Sequence, residues 1–229
     1  IGNVIGPHQL LSNCWLNSFF MCYFISDKGR KFFRNLRKTM ITGIGIKGET
    51  IEKKYRKGLW LLNKTIMASL YAGYSNTTEK YIKYFDTNNI IRLLRGSGTG
   101  NQKIIPKSNQ PSNPISFYEN LFKILGLKEG VKYLNIRNKD HYNNIIHGKG
   151  KMIPVVLEAE MLIIERQDEP SDTDIDSKTD PPPAEFSYNG NKFVLDSAVL
   201  RDKKKRHFTS YVTIKGEDFA FEGGAYRRL

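Results

Sequence analysis

The chain has 229 residues and a formal net charge of +13. This length allows one or two domains with a buried core, and 39% hydrophobic residues are typical of a folded globular protein. No apolar run has the length of a membrane-spanning helix, and two cysteines are too few for a disulfide scaffold or a zinc knuckle. We therefore expect no membrane association, no metal and no cofactor. A reducing compartment, the cytoplasm or the nucleus, is the predicted location.

Helical patterns fill the first 130 residues. Apolar residues at helical spacing follow Cys14 directly, and Ser12 or Asn13 would cap this helix. A basic amphipathic stretch continues it over 28–38. Further helices are predicted over 51–71, 77–94 and 115–125.

Strand patterns dominate from residue 131 onwards. An acidic, proline-rich stretch, 168–183, is predicted to be a mobile loop. Strands are expected over 153–164, 192–200 and 208–214, with 219–221 returning as a hairpin. The order indicates an α+β fold with a helical subdomain, 1–130, and an antiparallel β-sheet subdomain, 131–229.

Cys14 has the sequence context of a nucleophile. It lies where a helix begins, and the backbone N–H groups and helix dipole at such a position lower the pKa of a thiol. Trp15 would shield the thiol from water. The alternative is that Cys14 is a small buried hydrophobe, which is what we predict for Cys22, two turns into the helix.

His207 is the predicted base. It begins an alternating strand, and the following hairpin returns two acids, Asp218 and Glu222, towards it. The alternative is a surface histidine beside the basic run 203–206. The remaining histidines are weaker candidates, because one lies only six residues before Cys14 and two lie in a polar, Asn-rich stretch: His8, His141 and His147.

The order of these residues is more informative than any one of them. A cysteine at an N-terminal helix, followed by a histidine and an acid on a C-terminal hairpin, is the order found in papain-like peptidases. Gln9, five residues before Cys14, can donate its amide to an oxyanion beside the Cys14 backbone N–H. The alternative for Gln9 is an ordinary surface glutamine.

Several segments resemble the ubiquitin-specific proteases. The run from Gln9 to Phe19 is similar to their cysteine box, and 193–200 with 207–212 is similar to their histidine box. Phe221-Glu222 stands where that family has Phe-Asp, and Arg206-His207 where it has Gly-His. The family's cysteine-paired zinc fingers have no counterpart here. The Asn-Cys-Trp-Leu-Asn run also resembles the leader protease of foot-and-mouth disease virus.

The resemblance implies a reduced papain-like thiol peptidase. Cys14 would attack, His207 would transfer the proton, Glu222 or Asp218 would orient His207, and Gln9 would stabilise the oxyanion. The implied partner is ubiquitin or a ubiquitin-like protein, cut after its C-terminal Gly. The Asn- and Lys-rich composition suggests a viral or parasite origin, and hence an infected host cell.

Two alternatives stay open. The first is a protease of the same fold that cleaves a viral polyprotein or host proteins. The second is a catalytically inactive peptidase scaffold that binds nucleic acid or protein through its basic surface. The net charge favours acidic partners, but an A- and T-rich coding sequence would produce the same lysine content.

Overall fold

A computed structural model describes residues 4–71, 84–96, 105–108, 110–127, 131–136, 139–147, 159–166, 183–188, 190–202, 204–223 and 225–228. The chain forms two compact units. The first contains Ile1–Leu127 and Asp196–Leu229, and the second contains Lys128–Leu195. This grouping differs from the predicted division at residue 130, because the C-terminal strands pack on the N-terminal helices.

The first unit begins with a buried helix. Helix α1, Cys14–Phe20, runs directly into a π-helical segment, Met21–Ile25, and every residue of both is buried. The chain then breaks at Ser26, whose hydroxyl accepts the Gly29 N–H at 3.1 Å and so caps the next helix. The predicted helix after Cys14 is confirmed, but its basic continuation is two separate helices: α2, Asp27–Phe32, and α3, Arg34–Thr42.

Three further helices complete the helical part of this unit: α4, Lys53–Tyr71; α5, Asn88–Arg95; and α6, Pro114–Ile124. The predicted helices over 51–71 and 115–125 are confirmed to within two residues. Of the one predicted over 77–94, residues 77–83 lie outside the described part, and helix α5 begins only at Asn88. The Tyr84 carbonyl accepts the Thr65 hydroxyl at 2.8 Å, and the Asn88 N–H donates to the Asp86 carboxylate at 3.0 Å. The Asn88 N–H therefore does not make the helical hydrogen bond to the Tyr84 carbonyl.

An aromatic cluster joins the start of the chain to α6. The Tyr23 ring meets Tyr118 edge-on at 4.7 Å between centroids, and Phe33 stacks on Phe122 at the same distance. The Tyr118 hydroxyl donates to the Leu16 carbonyl at 2.9 Å, which satisfies its one polar group inside the core.

Within the described residues, no helix combines the length and apolar content needed to cross a membrane.

Four antiparallel strands close the first unit, and they pair in chain order: β5, Ser197–Asp202; β6, His207–Ile214; β7, Glu217–Glu222; and β8, Ala225–Arg228. Alternate residues of β6, Ser210, Val212 and Ile214, are buried, and helix α1 packs against β6 and β7. The predicted strand at 208–214 and its hairpin partner at 219–221 are confirmed.

The turn between β6 and β7 is anchored to the helices. Lys215 and Gly216 both have positive φ, 54° and 78°, which is the two-residue hairpin turn that matches strand twist. The Asp27 carboxylate accepts both of their N–H groups, at 2.9 and 2.8 Å. The first turn of α2 therefore holds this end of the sheet.

The second unit contains a structure that the sequence patterns did not indicate. Strand β1, Val131–Ile136, pairs in parallel with β2, Met161–Arg166, and helix α7, Lys139–Ile146, lies between them in the chain. The expectation of a purely antiparallel sheet was wrong here. Helix α7 was missed because its segment is polar, although Tyr142 and Ile145 are buried.

A short hairpin completes the second unit: β3, Glu185–Tyr188, and β4, Asn191–Val194. Phe186 and Phe193 stack across it at 5.1 Å. The predicted strand 192–200 is two strands, broken at Leu195 and Asp196. Of the predicted strand 153–164, residues 161–164 belong to β2 and 153–158 lie outside the described part, as does almost all of the predicted loop 168–183.

Candidate active site

The loop before Cys14 is held by a buried network of three polar side chains. The Asn13 amide donates to the Thr87 hydroxyl at 2.9 Å, and that hydroxyl donates to the Asn17 side-chain oxygen at 2.6 Å. Both asparagines also donate to the His8 carbonyl, at 3.2 and 3.0 Å. Fully satisfied polar networks of this kind fix one backbone conformation, so the loop that carries Gln9 is preorganised.

Asn13 stands at the N-cap position of α1 but does not act as a cap. Its side-chain oxygen turns back to accept the Leu10 N–H at 2.9 Å, and α1 has no side-chain cap. The expected cap by Ser12 or Asn13 is therefore wrong. The Leu16 and Asn17 N–H groups both donate to the Asn13 carbonyl at 3.0 Å, so the helix itself offers no acceptor to the N–H groups of Cys14 and Trp15.

Cys14 is the first residue of α1 and is 8% exposed. The next residue, Trp15, points into the helical core, where its indole N–H donates to the Gln110 carbonyl at 3.2 Å and its ring meets Phe117 edge-on. Trp15 is 1% exposed and anchors the helix start, while the expectation that it shields the thiol stays a prediction. Neither Cys14 nor Cys22 forms a disulfide.

His207 and Glu222 lie side by side on the C-terminal sheet. The His207 Nε2 atom is 3.3 Å from the Glu222 Oε1 atom. Nε2 is buried and makes no hydrogen bond of good geometry within the described residues, whereas the Glu222 side chain is 69% exposed. Because Nε2 faces the carboxylate, Nδ1 is the ring nitrogen left to exchange a proton with another group.

Asp218 has a different partner. It lies opposite Thr213 in the β6–β7 ladder, and its carboxylate accepts the Thr213 hydroxyl at 2.7 Å. Since His207 is six residues from Thr213 along β6, the strand rise separates Asp218 from His207 by about 20 Å. Between the two acids proposed from the sequence, only Glu222 is in reach of His207.

Asp202 is a carboxylate near His207 that the sequence analysis did not select. It pairs with His207 in the β5–β6 ladder and accepts the Lys205 N–H at 3.0 Å. This backbone hydrogen bond is the main cause that lowers the pKa of Asp202, and the charge of His207 adds to it. Asp202 therefore stays ionised and closes the turn that leads into His207.

The loop before Cys14 touches the strand that carries Glu222. The Gln9 N–H donates to the Gly223 carbonyl at 3.4 Å, and the Gln9 side-chain oxygen lies 3.2 Å from where a Cβ on Gly223 would be. A Cβ on Gly6 would be 2.1 Å from the Phe221 ring, so this segment also runs tightly against β7. Contacts thus link the loop before Cys14 to the end of β7, where Glu222 contacts His207.

The second cysteine is chemically different. Burial raises the pKa of the Cys22 thiol to about 12, although a hydrogen bond with the Ser197 hydroxyl lowers this pKa in part. Cys22 is therefore protonated at neutral pH and cannot act as a nucleophile. The expectation that Cys22 is a buried small hydrophobe is confirmed.

The other three histidine side chains have different surroundings. His8 is exposed and stacks on Phe85 at 5.7 Å, while His141 and His147 are exposed on α7 and just after it, as expected.

Thr87 was missed because it lies 74 residues from Asn13 and 70 from Asn17, and no local pattern marks such a contact.

Comparisons with known proteins relate this chain to solved structures only. No family model matches it, and no curated protein sequence matches it. It is similar to the structure of the SAGA DUB module of Ubp8, Sgf11, Sus1 and Sgf73 bound to monoubiquitin, with 11% identity and a TM-score of 0.59, covering 100% of this chain and 65% of that chain. It is also similar to the SAGA Ubp8/Sgf11/Sus1/Sgf73 DUB module bound to ubiquitin aldehyde, with 11% identity and a TM-score of 0.56, covering 100% of this chain and 66% of that one.

These likenesses concern the fold. The chain is a mixed helix-and-sheet protein that is structurally similar to chains of these modules, and it spans just under two thirds of the length of the chains that it matches.

Proposed function

We propose that this chain is a thiol-dependent hydrolase that cuts the peptide or isopeptide bond after the C-terminal Gly of ubiquitin or a ubiquitin-like protein. The observation that carries the proposal is the contact between the two ends of the chain. The Gln9 N–H, five residues before Cys14, bonds to Gly223, and the adjacent Glu222 is 3.3 Å from His207. The fold shared with ubiquitin-bound deubiquitinase structures supports the choice of substrate.

The proposed reaction has two halves. In the first, the Cys14 thiol gives its proton to His207 Nδ1, and the sulfur attacks the carbonyl carbon of the terminal Gly. The resulting oxyanion accepts hydrogen bonds from the Cys14 N–H and the Gln9 amide. The tetrahedral intermediate collapses, the C–N bond breaks, and the leaving amine takes the proton from His207.

In the second half, water releases the product. His207 removes a proton from the water, the hydroxide attacks the thioester carbonyl, and the C–S bond breaks. The Cys14 sulfur takes the proton from His207, and the Gly carboxylic acid leaves and releases its own proton to the solvent as it becomes the carboxylate. Glu222 stabilises the imidazolium form of His207 in both halves through its contact with Nε2.

A ubiquitin probe with a C-terminal propargyl amide tests this proposal. The wild-type chain is expected to form a covalent adduct that resists reduction and adds the mass of the probe. Cys14→Ala should abolish the adduct, and His207→Ala should slow it at least about 100-fold, the usual contribution of a general base. Cys22→Ala is the matched control and should label like the wild type, because that thiol is protonated at neutral pH.

The outcomes separate the alternatives. Labelling by SUMO-type or ISG-type probes but not by ubiquitin would keep the mechanism and change the modifier. A folded wild-type chain that labels with none of the probes would contradict the proposal. Cleavage of a polyprotein precursor under those conditions would favour the processing protease.

A further inference from the structure

An open apolar groove lies on the helical side of the first unit, among residues that the candidate active site does not use. It has a volume of about 440 Å³ and is lined by residues of α3, α4 and α5 and the turn after α3: Met40, Ile41, Thr42, Gly43, Arg56, Lys57, Trp60, Leu61 and Leu93. Three of the large apolar side chains are well exposed, Trp60 at 47%, Ile41 at 61% and Leu93 at 36%. A concave, mostly apolar lining of this volume is typical of ligand-binding pockets.

Both charged residues that line the groove, Arg56 and Lys57, are basic. The three helices that bound it carry ten Lys and Arg residues, three on α3, five on α4 and two on α5, and no Asp or Glu. Lys54 is paired with Glu52, which precedes α4, at 2.6 Å. Lys53 and Lys57 stand four residues apart on α4, a spacing at which like charges destabilise a helix. An acidic ligand would relieve that repulsion.

Two rim side chains are already ordered. The Arg56 Nε atom donates to the Ile51 carbonyl at 3.3 Å and packs against Gly43, whose φ of 70° ends α3. The Lys64 Nζ atom lies over the Trp60 ring, 5.1 Å from its centroid. Trp and Arg are the residue types that contribute most to binding at protein interfaces, and their preorganisation lowers the entropy cost of association.

We propose that this groove binds an acidic segment of a partner protein that inserts a bulky apolar side chain beside Trp60. The groove is concave, so a side chain can enter it, whereas the flat surface of a bilayer would not reach its floor. The lining is mainly aliphatic with one aromatic ring, which suits an apolar anchor better than a series of stacked bases. A second copy of this chain would bring its own charge of +13 and be repelled.

Fluorescence anisotropy with a defined probe tests the proposal on the full chain. The probe is a short, fluorescein-labelled peptide of Glu and Ala that carries one Phe and one Leu a helical turn apart. We expect saturable binding that weakens with added salt. Trp60→Ala should weaken it at least about tenfold, as the loss of a central anchor does. Lys57→Glu should weaken it several-fold.

The controls are matched to each change. Lys123→Glu makes the same charge reversal at an exposed position on α6 and should leave binding unchanged. A second peptide replaces Phe and Leu by Ala and should bind at least about tenfold more weakly. Circular dichroism of each variant establishes that it is folded, which an exposed Trp→Ala change within a helix should not disturb.

Three results would overturn the proposal. The first is equal binding of the two peptides by the wild type. The second is equal binding of the acidic peptide by the wild type and by a folded Trp60→Ala variant. The third is Trp60-dependent binding of an oligouridylate or of anionic lipid vesicles that is tighter than binding of the acidic peptide. The last would assign the groove to nucleic acid or to a membrane surface.

Discussion

At the scale of single residues, the His207–Glu222 pair depends on reach. Phe221 is opposite Ser210 in the ladder, so Glu222 falls beside Thr209, diagonal to His207. Diagonal neighbours lie about 7–8 Å apart, with their Cβ atoms somewhat closer, and a long side chain closes that distance. The glutamate, which is one methylene longer than the aspartate of the family it resembles, is therefore suited to this register.

This geometry makes a specific prediction for position 222. Glu222→Gln removes the charge that stabilises the His207 imidazolium, and we expect kcat/KM for a ubiquitin C-terminal fluorogenic substrate to fall about 10- to 100-fold. Glu222→Asp should fall by a similar factor, because the shortened side chain loses its contact with Nε2. Steady-state kinetics of both variants measure this.

Asp218→Asn serves as the control for that prediction, because Asp218 contacts Thr213 on the same strand pair. It should keep wild-type kinetics. Full activity in the Glu222→Asp variant would show that reach does not determine the function of this position.

The candidate catalytic residues are marked by local sequence patterns, whereas the residues that hold them in place are not. Cys14, His207 and Gln9 stand in recognisable local patterns, and Cys22 was separated from Cys14 by its depth in the helix. The Asn13–Thr87–Asn17 network has no such pattern, because its contacts join positions 70 and 74 residues apart. The choice between Glu222 and Asp218 required the strand register.

At the scale of elements, the β5–β6 hairpin ends in a strained residue. Arg206, immediately before His207, has φ of 52°, the left-handed region that costs a side-chain-bearing residue about 1 kcal/mol or more. The Asp202 carboxylate, which accepts the Lys205 N–H, helps to hold this turn. The histidine box that this segment resembles has glycine at this position, and glycine adopts such a φ without steric cost.

Arg206→Gly is therefore expected to stabilise the chain by about 0.5–1 kcal/mol, because glycine adopts this φ without steric cost. Urea unfolding at neutral pH measures the change in the free energy of unfolding. Lys204 lies in the same turn and does not have a positive φ. Lys204→Gly is therefore the control and should not increase the free energy of unfolding. Equal stabilisation by both substitutions would point to loss of positive charge as the cause.

Some element boundaries were beyond sequence reasoning for identifiable reasons. The chain breaks at Asp196 because its carboxylate accepts the Lys28 N–H at 3.0 Å and lies 2.5 Å from the Ser26 hydroxyl. Ahead of helix α5, the Tyr84 carbonyl accepts the hydroxyl of Thr65, 19 residues away. Contacts of this kind join distant parts of the chain, and apolar periodicity does not report them.

At the scale of the whole molecule, the core sets an alkaline limit on stability. Burial raises the pKa of Cys22 to about 12, and it raises the pKa of Tyr23 and of Tyr118 well above the ordinary tyrosine value. Each group stays protonated in the folded chain while the unfolded chain releases its proton. Stability is therefore complete below about pH 9 and falls as pH rises towards 12.

The contribution of Cys22 can be isolated by a comparison of slopes. Between pH 8 and pH 10, the free energy of unfolding of the wild type should fall by about 1.5 kcal/mol more than that of Cys22→Ala, which has no thiol to ionise. Urea unfolding at the two pH values gives both differences. Identical pH dependence in the two proteins would show that Cys22 titrates normally in the folded state.

The first unit is assembled from the two ends of the chain, Ile1–Leu127 and Asp196–Leu229, with the second unit inserted between them in the sequence. During synthesis, the sulfur of Cys14 leaves the ribosome long before the imidazole of His207. A chain released early lacks the strands that pack on α1 and Asp27, and with them the proposed base and its acid. Such a fragment would be inert, so the proposed activity arises only once translation has reached the final hairpin.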